Sequence, residues 1–169
     1  MSSGRPPTAD ALIDLAHAVQ DACVSRGLTL ATAESCTGGL LSHILTEVPG
    51  SSAYFAGGVV SYSDRVKMGV LGVPPTTMAR YGAVSAQTAR AMAVGARNRL
   101  ATDLAVAVTG IAGPDGGTVE KPVGLTFVAV SGPRGGELER HVWRGGRAAN
   151  KRASTRAALQ LLLRTVTAT

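Results

Sequence analysis

The sequence predicts a single α/β domain with three layers, in which a mixed sheet is flanked by helices. Apolar runs typical of buried strands alternate with segments of helical periodicity, as in layered α/β folds. Most of these segments end at glycine or proline, which favours compact turns over long loops. Two β-prone runs in the last third are separated only by a glycine-rich turn, so an antiparallel pair is expected there.

Length and composition limit the possible classes of protein. With 169 residues, of which 45% are hydrophobic and 4% aromatic, the chain can form one aliphatic core. We expect a flexible lead over residues 1–8 and one domain over 9–169. The N-terminus has no apolar signal core, and no apolar run reaches the ~20 residues that span a bilayer. We therefore expect no membrane partner. Two cysteines do not make a disulfide framework, so we expect a cytoplasmic protein with reduced thiols.

The elements follow from periodicity and from turn residues. In the first half we predict helices over 10–26, 40–47, 63–71 and 76–81, and strands over 28–33 and 53–61. In the second half we predict helices over 86–100 and 148–166, and strands over 104–108, 123–130 and 137–143. Thr8 or Asp10 is expected to cap the first helix, and Ser85 the helix that begins at Ala86.

The segment Thr32-Ala-Glu-Ser-Cys-Thr-Gly-Gly39 lies between a predicted strand and a predicted helix. A side chain in such a turn can be rigid and exposed while backbone N–H groups face an anion. An ordinary helix cap is the simpler interpretation of a lone serine there. The functional interpretation makes Ser35 a nucleophile.

A base for this serine is available at Lys67, one helical turn after Tyr62 at the end of a strand. Neutralising an ordinary lysine at pH 7 costs roughly 4.6 kcal/mol, and burial can remove much of that cost. Tyr62 could relay protons between Ser35 and Lys67. Alone, Lys67 would be a solvated helix residue and Tyr62 a packing residue.

Other chemistries have weaker support. Cys36 is a rival nucleophile at the helix start, but no histidine is placed to pair with it. The three histidines are scattered, so neither a zinc site nor a Ser-His-Asp triad is predicted, and we expect no metal and no cofactor. A second glycine-rich loop begins at Thr109-Gly110, and it could form an anion-binding nest. Arg147, at the start of the last helix, is a candidate partner for a phosphate.

Together these segments resemble the CinA C-terminal family, the nicotinamide-nucleotide amidohydrolases. Matching segments run in order from about residue 32 to 147. They are Thr32–Gly39, Gly58–Ser63 with Lys67, Leu71–Val73, Gly82–Ser85, Thr109–Gly117, Lys121–Gly124 and Gly146-Arg147.

The resemblance implies hydrolysis of nicotinamide mononucleotide to nicotinate mononucleotide and ammonia. It also implies Ser35 as nucleophile with Tyr62 and Lys67 in support, a homo-oligomer, and no metal. For substrate and oxyanion binding we expect the loop groups Cys36, Thr37, Gly38, Gly39, Thr109 and Gly110, with Arg147 on the phosphate. One segment departs from the family, because Ser63-Asp-Arg-Val66 stands where Ser-Asn-Glu-Ala is common. Arg65 would help to lower the pKa of Lys67 only if it pointed inward.

Two alternatives remain open at this stage. The chain could be a non-catalytic nucleotide-binding or interaction module that retains the fold. The formal charge of +6, with eight of the 17 Lys and Arg between Arg134 and Arg164, also allows a nucleic-acid partner. The scarcity of aromatic residues and the lack of a recognised binding motif argue against nucleic acid.

Overall fold

The computed structural model describes residues 6–168, and it is the three-layer α/β domain that the sequence predicts. In chain order the elements are α1 (Ala9–Arg26), β1 (Leu30–Glu34), α2 (Leu40–Thr46), β2 (Phe55–Val60), α3 (Asp64–Gly69), α4 (Pro75–Tyr81), α5 (Ala86–Arg99), β3 (Leu104–Gly110), β4 (Leu125–Gly132), β5 (Gly135–Val142) and α6 (Arg147–Thr167). A short 3₁₀ helix, Ser51–Ala53, precedes β2. Residues 1–5 of the predicted lead lie outside the described residues.

The five strands form one mixed sheet in the order β2-β1-β3-β4-β5. β1 pairs in parallel with β2 and β3, whereas β4 is antiparallel to both β3 and β5. The predicted hairpin is confirmed, since Gly132 pairs with Gly135 across the β4–β5 turn. The carboxyl ends of the three parallel strands meet at one edge of the sheet, and this edge positions the candidate site.

The two faces of the sheet carry side chains of different size. On β3, Val106 and Val108 belong to the core beneath α1, α2 and α6. The alternate residues Ala105 and Ala107 pack against α5 on the other face. Because successive strand residues point to opposite faces, this alternation lets α5 approach the sheet closely. No helix in the described part of the chain is long and apolar enough to cross a membrane.

Local signals explain where the helices begin and end. Thr8 caps α1, its hydroxyl accepting from the Ala11 N–H, and Gly27 ends the helix with φ 63°. Ser85 caps α5 by accepting from the Thr88 N–H, as predicted. The main differences from the predicted bounds are two-residue shifts at strand ends, and Glu34 belongs to β1 instead of the following turn.

Candidate active site

A cleft of about 270 Å³ lies at the edge of the sheet where the parallel strands end. Its walls come from the turns after β1, β2 and β3, the Ala83-Val84 loop and the start of α6. The lining residues include Ser35, Cys36, Tyr62, Lys67, Gly110 and Arg147. Five segments that are separated in sequence therefore converge, as expected for ligand sites beyond the carboxyl ends of strands.

Ser35 and Lys67 are in direct contact. The Nζ of Lys67 lies 3.0 Å from the Ser35 Oγ, 2.7 Å from the Ser61 carbonyl oxygen and 3.5 Å from the Tyr62 carbonyl oxygen. Protonated lysine could donate to all three oxygens. A neutral amine could instead donate to the two carbonyls and accept the Ser35 proton, which is the arrangement that a general base requires.

The environment of Lys67 favours the neutral amine. The side chain is buried, with 1% exposure. Burial lowers the pKa of Lys67 below its ordinary value, while the Asp64 carboxylate and Cys36 oppose this shift. Arg65 is exposed and is not among the causes of the shift, so the lowered pKa comes from desolvation and not from a neighbouring cation.

Glu34 fixes the turn that carries Ser35. Its buried carboxylate accepts from the N–H groups of Gly39 and Leu41 at 3.0 Å each, and from the N–H and hydroxyl of Ser42 at 2.8 and 2.7 Å. Its carbonyl oxygen accepts from the Ser61 N–H at 2.7 Å. Glu34 therefore ties the serine turn to the segment whose carbonyl holds Lys67. An acid at the end of a β-prone run, directly before the serine turn, was the signal that could have identified this role.

Several of the expected oxyanion donors have hydrogen-bond partners within the protein. The Gly39 N–H is used by Glu34, and the Gly38 N–H donates to the Ser35 carbonyl oxygen at 3.1 Å. The Thr109 hydroxyl donates to the Ala83 carbonyl oxygen at 2.8 Å, so it holds a loop and does not face a ligand. These three residues and Thr37 are not part of the cleft wall. Gly38, Gly39 and Thr109 use these groups within the protein, whereas the buried Thr37 hydroxyl has no hydrogen-bond partner among the described residues.

The surroundings of Cys36 disfavour its thiol as a nucleophile, and its backbone N–H is the group that can contribute to the reaction. Burial raises the pKa of its thiol to about 12, so the thiolate is scarce at neutral pH. Its backbone N–H donates to no other residue in the described part of the chain. An N–H that directly follows the nucleophile is well placed to bind an oxyanion.

Arg147 joins two walls of the cleft. Its guanidinium donates to the Gly113 carbonyl oxygen at 2.9 Å and to the Tyr62 hydroxyl at 3.1 Å. The Tyr62 hydroxyl thus faces Arg147. Because Ser35 and Lys67 are in direct contact, a proton can pass between them without Tyr62 as a relay. Asn150, one turn further along α6, also supports this wall by donating to the Ala112 carbonyl oxygen at 3.0 Å. Nothing in the periodicity of α6 separated Asn150 from an ordinary core residue.

Comparison with known proteins places the chain and its fold in a family. Residues 12–166 match the model of the CinA C-terminal domain. This chain belongs to the CinA C-terminal domain family. It is 56% identical over 121 residues to a CinA-like protein of a Geobacter species, covering 72% of this chain and 29% of that protein. The chain spans about a third of the length of the curated relatives it matches.

Solved structures of the family superpose over almost the whole chain. The competence/damage inducible protein CihA from Agrobacterium tumefaciens is 41% identical, with a TM-score of 0.87 that covers 97% of this chain and 99% of that chain. A CinA superfamily protein from Klebsiella pneumoniae is 33% identical, with a TM-score of 0.90 that covers 94% and 99%. These proteins share the single mixed-sheet domain described above.

Proposed function

We propose that this domain hydrolyses the carboxamide of nicotinamide mononucleotide, giving nicotinate mononucleotide and ammonia. The observation that carries the proposal is the 3.0 Å contact between the buried Lys67 Nζ and the Ser35 Oγ in the wall of a cleft. A serine beside a desolvated lysine is an activated nucleophile that needs no histidine. The resemblance of the motifs to nicotinamide-nucleotide amidohydrolases supplies the substrate.

The chemistry follows from the contacts. Neutral Lys67 accepts the Ser35 proton as the Oγ bonds to the carboxamide carbon. The tetrahedral oxyanion accepts a hydrogen bond from the Cys36 N–H, and one such donor is typically worth about 3 kcal/mol. Lys67 then protonates the leaving nitrogen as the C–N bond breaks, and ammonia departs. Water attacks the acyl ester, Lys67 takes its proton, and that proton returns to the Ser35 oxygen.

Arg147 supplies the positive charge for the 5′-phosphate. Its guanidinium lines the cleft and is already oriented by Gly113 and Tyr62. Because a guanidinium carries five N–H donors, it can bind phosphate oxygens while one of these contacts remains. Tyr62 then acts by holding Arg147, and its hydroxyl takes no part in the proton transfer to Lys67.

Ammonia release from nicotinamide mononucleotide tests the reaction and the nucleophile together. Ser35→Ala should abolish release, whereas Ser52→Ala, which changes an exposed serine of the 3₁₀ helix, should keep the wild-type rate. Binding of the nucleotide without turnover by the wild-type protein would favour the non-catalytic binding module. Equal turnover by Ser35→Ala would assign the nucleophile to another residue.

The roles of Lys67 and Arg147 separate in the kinetic constants. Lys67→Ala should lower kcat by at least about a hundredfold, because a positioned base contributes 10²–10⁴-fold. Arg147→Ala should mainly raise KM, while Arg99→Ala at the far end of α5 serves as the charge-matched control. A loss confined to kcat in Arg147→Ala would contradict the phosphate contact.

A further inference from the structure

The cleft contains two carboxylates that the proposed reaction does not use. Asp64 and Asp115 both line it and are exposed. Within residues 6–168, neither carboxylate takes part in a hydrogen bond or an ion pair. The same cleft holds the Arg147 guanidinium and Lys67, whose amine the proposed reaction requires to be neutral. Two unpaired negative charges beside a proposed phosphate site would repel a purely anionic ligand, so they call for an explanation.

Of the two carboxylates, Asp64 is the one that acts electrostatically on Lys67. It is the first residue of α3, which Ser63 caps, and Lys67 follows three positions later. Residues three apart lie on the same helix face, so both side chains project toward the cleft. The carboxylate also opposes the effect of burial by raising the pKa of Lys67. By itself, Asp64 therefore disfavours the neutral amine that attack by Ser35 requires.

A positively charged ligand ring would resolve this conflict. We infer that Asp64 is a specificity-determining residue that selects ligands whose carboxamide-bearing ring is cationic, such as an N-substituted pyridinium. This inference rests on the proposed function, because the carboxamide must lie at Ser35 for its ring to lie beside Asp64. The ring cation attracts the Asp64 carboxylate, and it also offsets the effect of that carboxylate on Lys67. With Arg147 on the phosphate, the cleft then matches a ligand that is positive at the ring and negative at the phosphate.

Binding in a variant without turnover tests the selectivity directly. In a Ser35→Ala background, calorimetry would compare nicotinamide mononucleotide with its reduced form, whose dihydropyridine ring is neutral and whose ribose phosphate is unchanged. Adding Asp64→Asn should weaken binding of the cationic form about tenfold, which corresponds to about 1.4 kcal/mol. Binding of the reduced form should change by less than about twofold.

Two matched substitutions control this comparison. Asp115→Asn removes the other carboxylate of the cleft, and Asp21→Asn removes an exposed carboxylate on α1. Both should leave the preference for the cationic ring largely intact. An equal loss for the two ring forms in Asp64→Asn, no loss at all, or a charge-selective loss in Asp115→Asn instead would overturn the assignment. Failure of the cationic form to bind would also overturn it.

The pH dependence of kcat/KM distinguishes an electrostatic role of Asp64 from a purely structural one, because only the electrostatic role would shift it. Asp64 and Cys36 are the groups that raise the pKa of Lys67, while Tyr62, Asp115 and Arg147 line the same cleft. Removing the Asp64 charge lowers this pKa, so the acid limb of kcat/KM should move to lower pH in Asp64→Asn. An unmoved limb would contradict the placement of Asp64 beside Lys67.

The proposed function can fail separately from this selectivity. If the wild-type protein released no ammonia but Asp64→Asn still discriminated between the two ring forms, the deamidation would be wrong and the charge selectivity would stand. If ammonia were released and the discrimination were absent, the reaction would stand and the role of Asp64 would be wrong.

Discussion

Glu34→Gln is the substitution whose effect the structure determines most closely. The carboxylate is fully buried and accepts four hydrogen bonds, two on each oxygen. Glutamine has nearly the same shape, but an NH₂ group replaces one of the two acceptors. Whichever way the amide turns, donors that now meet an oxygen would meet another donor.

The loss of stability is set by whichever of the two amide orientations costs less free energy. If the NH₂ group faces Ser42, the hydroxyl can rotate to accept, and only the Ser42 N–H loses its partner. Leaving one buried donor unsatisfied costs about 1–3 kcal/mol, and the remaining bonds weaken from charge-assisted to neutral. Because a neutral amide costs less free energy to bury than a carboxylate, part of the lost stability is recovered. We expect a net loss of about 3 kcal/mol in the free energy of unfolding.

Urea denaturation at pH 7, followed by circular dichroism, measures this loss. Thermal unfolding should show a midpoint about 6–12 °C lower for a chain of this size. Glu47→Gln is the control, because that exposed glutamate near the end of α2 has only a 3.8 Å contact with His43. Its effect should stay within about 0.5 kcal/mol. If Glu34→Gln were no less stable than Glu47→Gln, the carboxylate would not hold the serine turn.

Three further substitutions have defined outcomes. Gly95→Ala should destabilise the protein by at least about 2 kcal/mol, since its Cβ would lie 1.8 Å from the Leu71 carbonyl oxygen; urea denaturation measures this. Hydrogen bonds from Thr29 lower the pKa of Asp103, so its stabilisation is present above about pH 4 and is lost as the pH falls through the folded-state pKa. Asp103→Asn should therefore make stability less dependent on pH in that acid range, as unfolding midpoints between pH 2 and 6 would show. Asn150→Ala removes two hydrogen bonds to loop backbone at the start of α6, and an unfolding titration should give a loss of about 2–4 kcal/mol.

Periodicity and turn residues were sufficient to predict the elements of this fold. The continuous apolar run of β3 and the spacing of small residues in α5 are local patterns, so the positions of these elements were predicted closely. The strand ends shifted by about two residues because pairing with neighbouring strands decides where a strand stops. Glu34 belongs to β1 for this reason, since its backbone pairs with both Val60 and Val108.

The candidate site was predicted in part. The sequence motifs indicated Ser35, Lys67 and Arg147, and the structure brings all three to one cleft. Sequence reasoning could not tell which backbone N–H groups remain unused. Glu34 takes the Gly39 N–H through a contact that forms only when α2 is folded against the end of β1.

The sequence by itself determined the order of helices and strands, the family, and the residue types that can carry the chemistry. These are properties of short segments, which local periodicity and motif spacing record. Only the tertiary structure decided that Lys67 is buried against Ser35, that Tyr62 faces Arg147, and that Asp64 shares their cleft. These contacts join residues up to 85 positions apart, and burial, which lowers the pKa of Lys67, is a property of the packed domain and not of any segment.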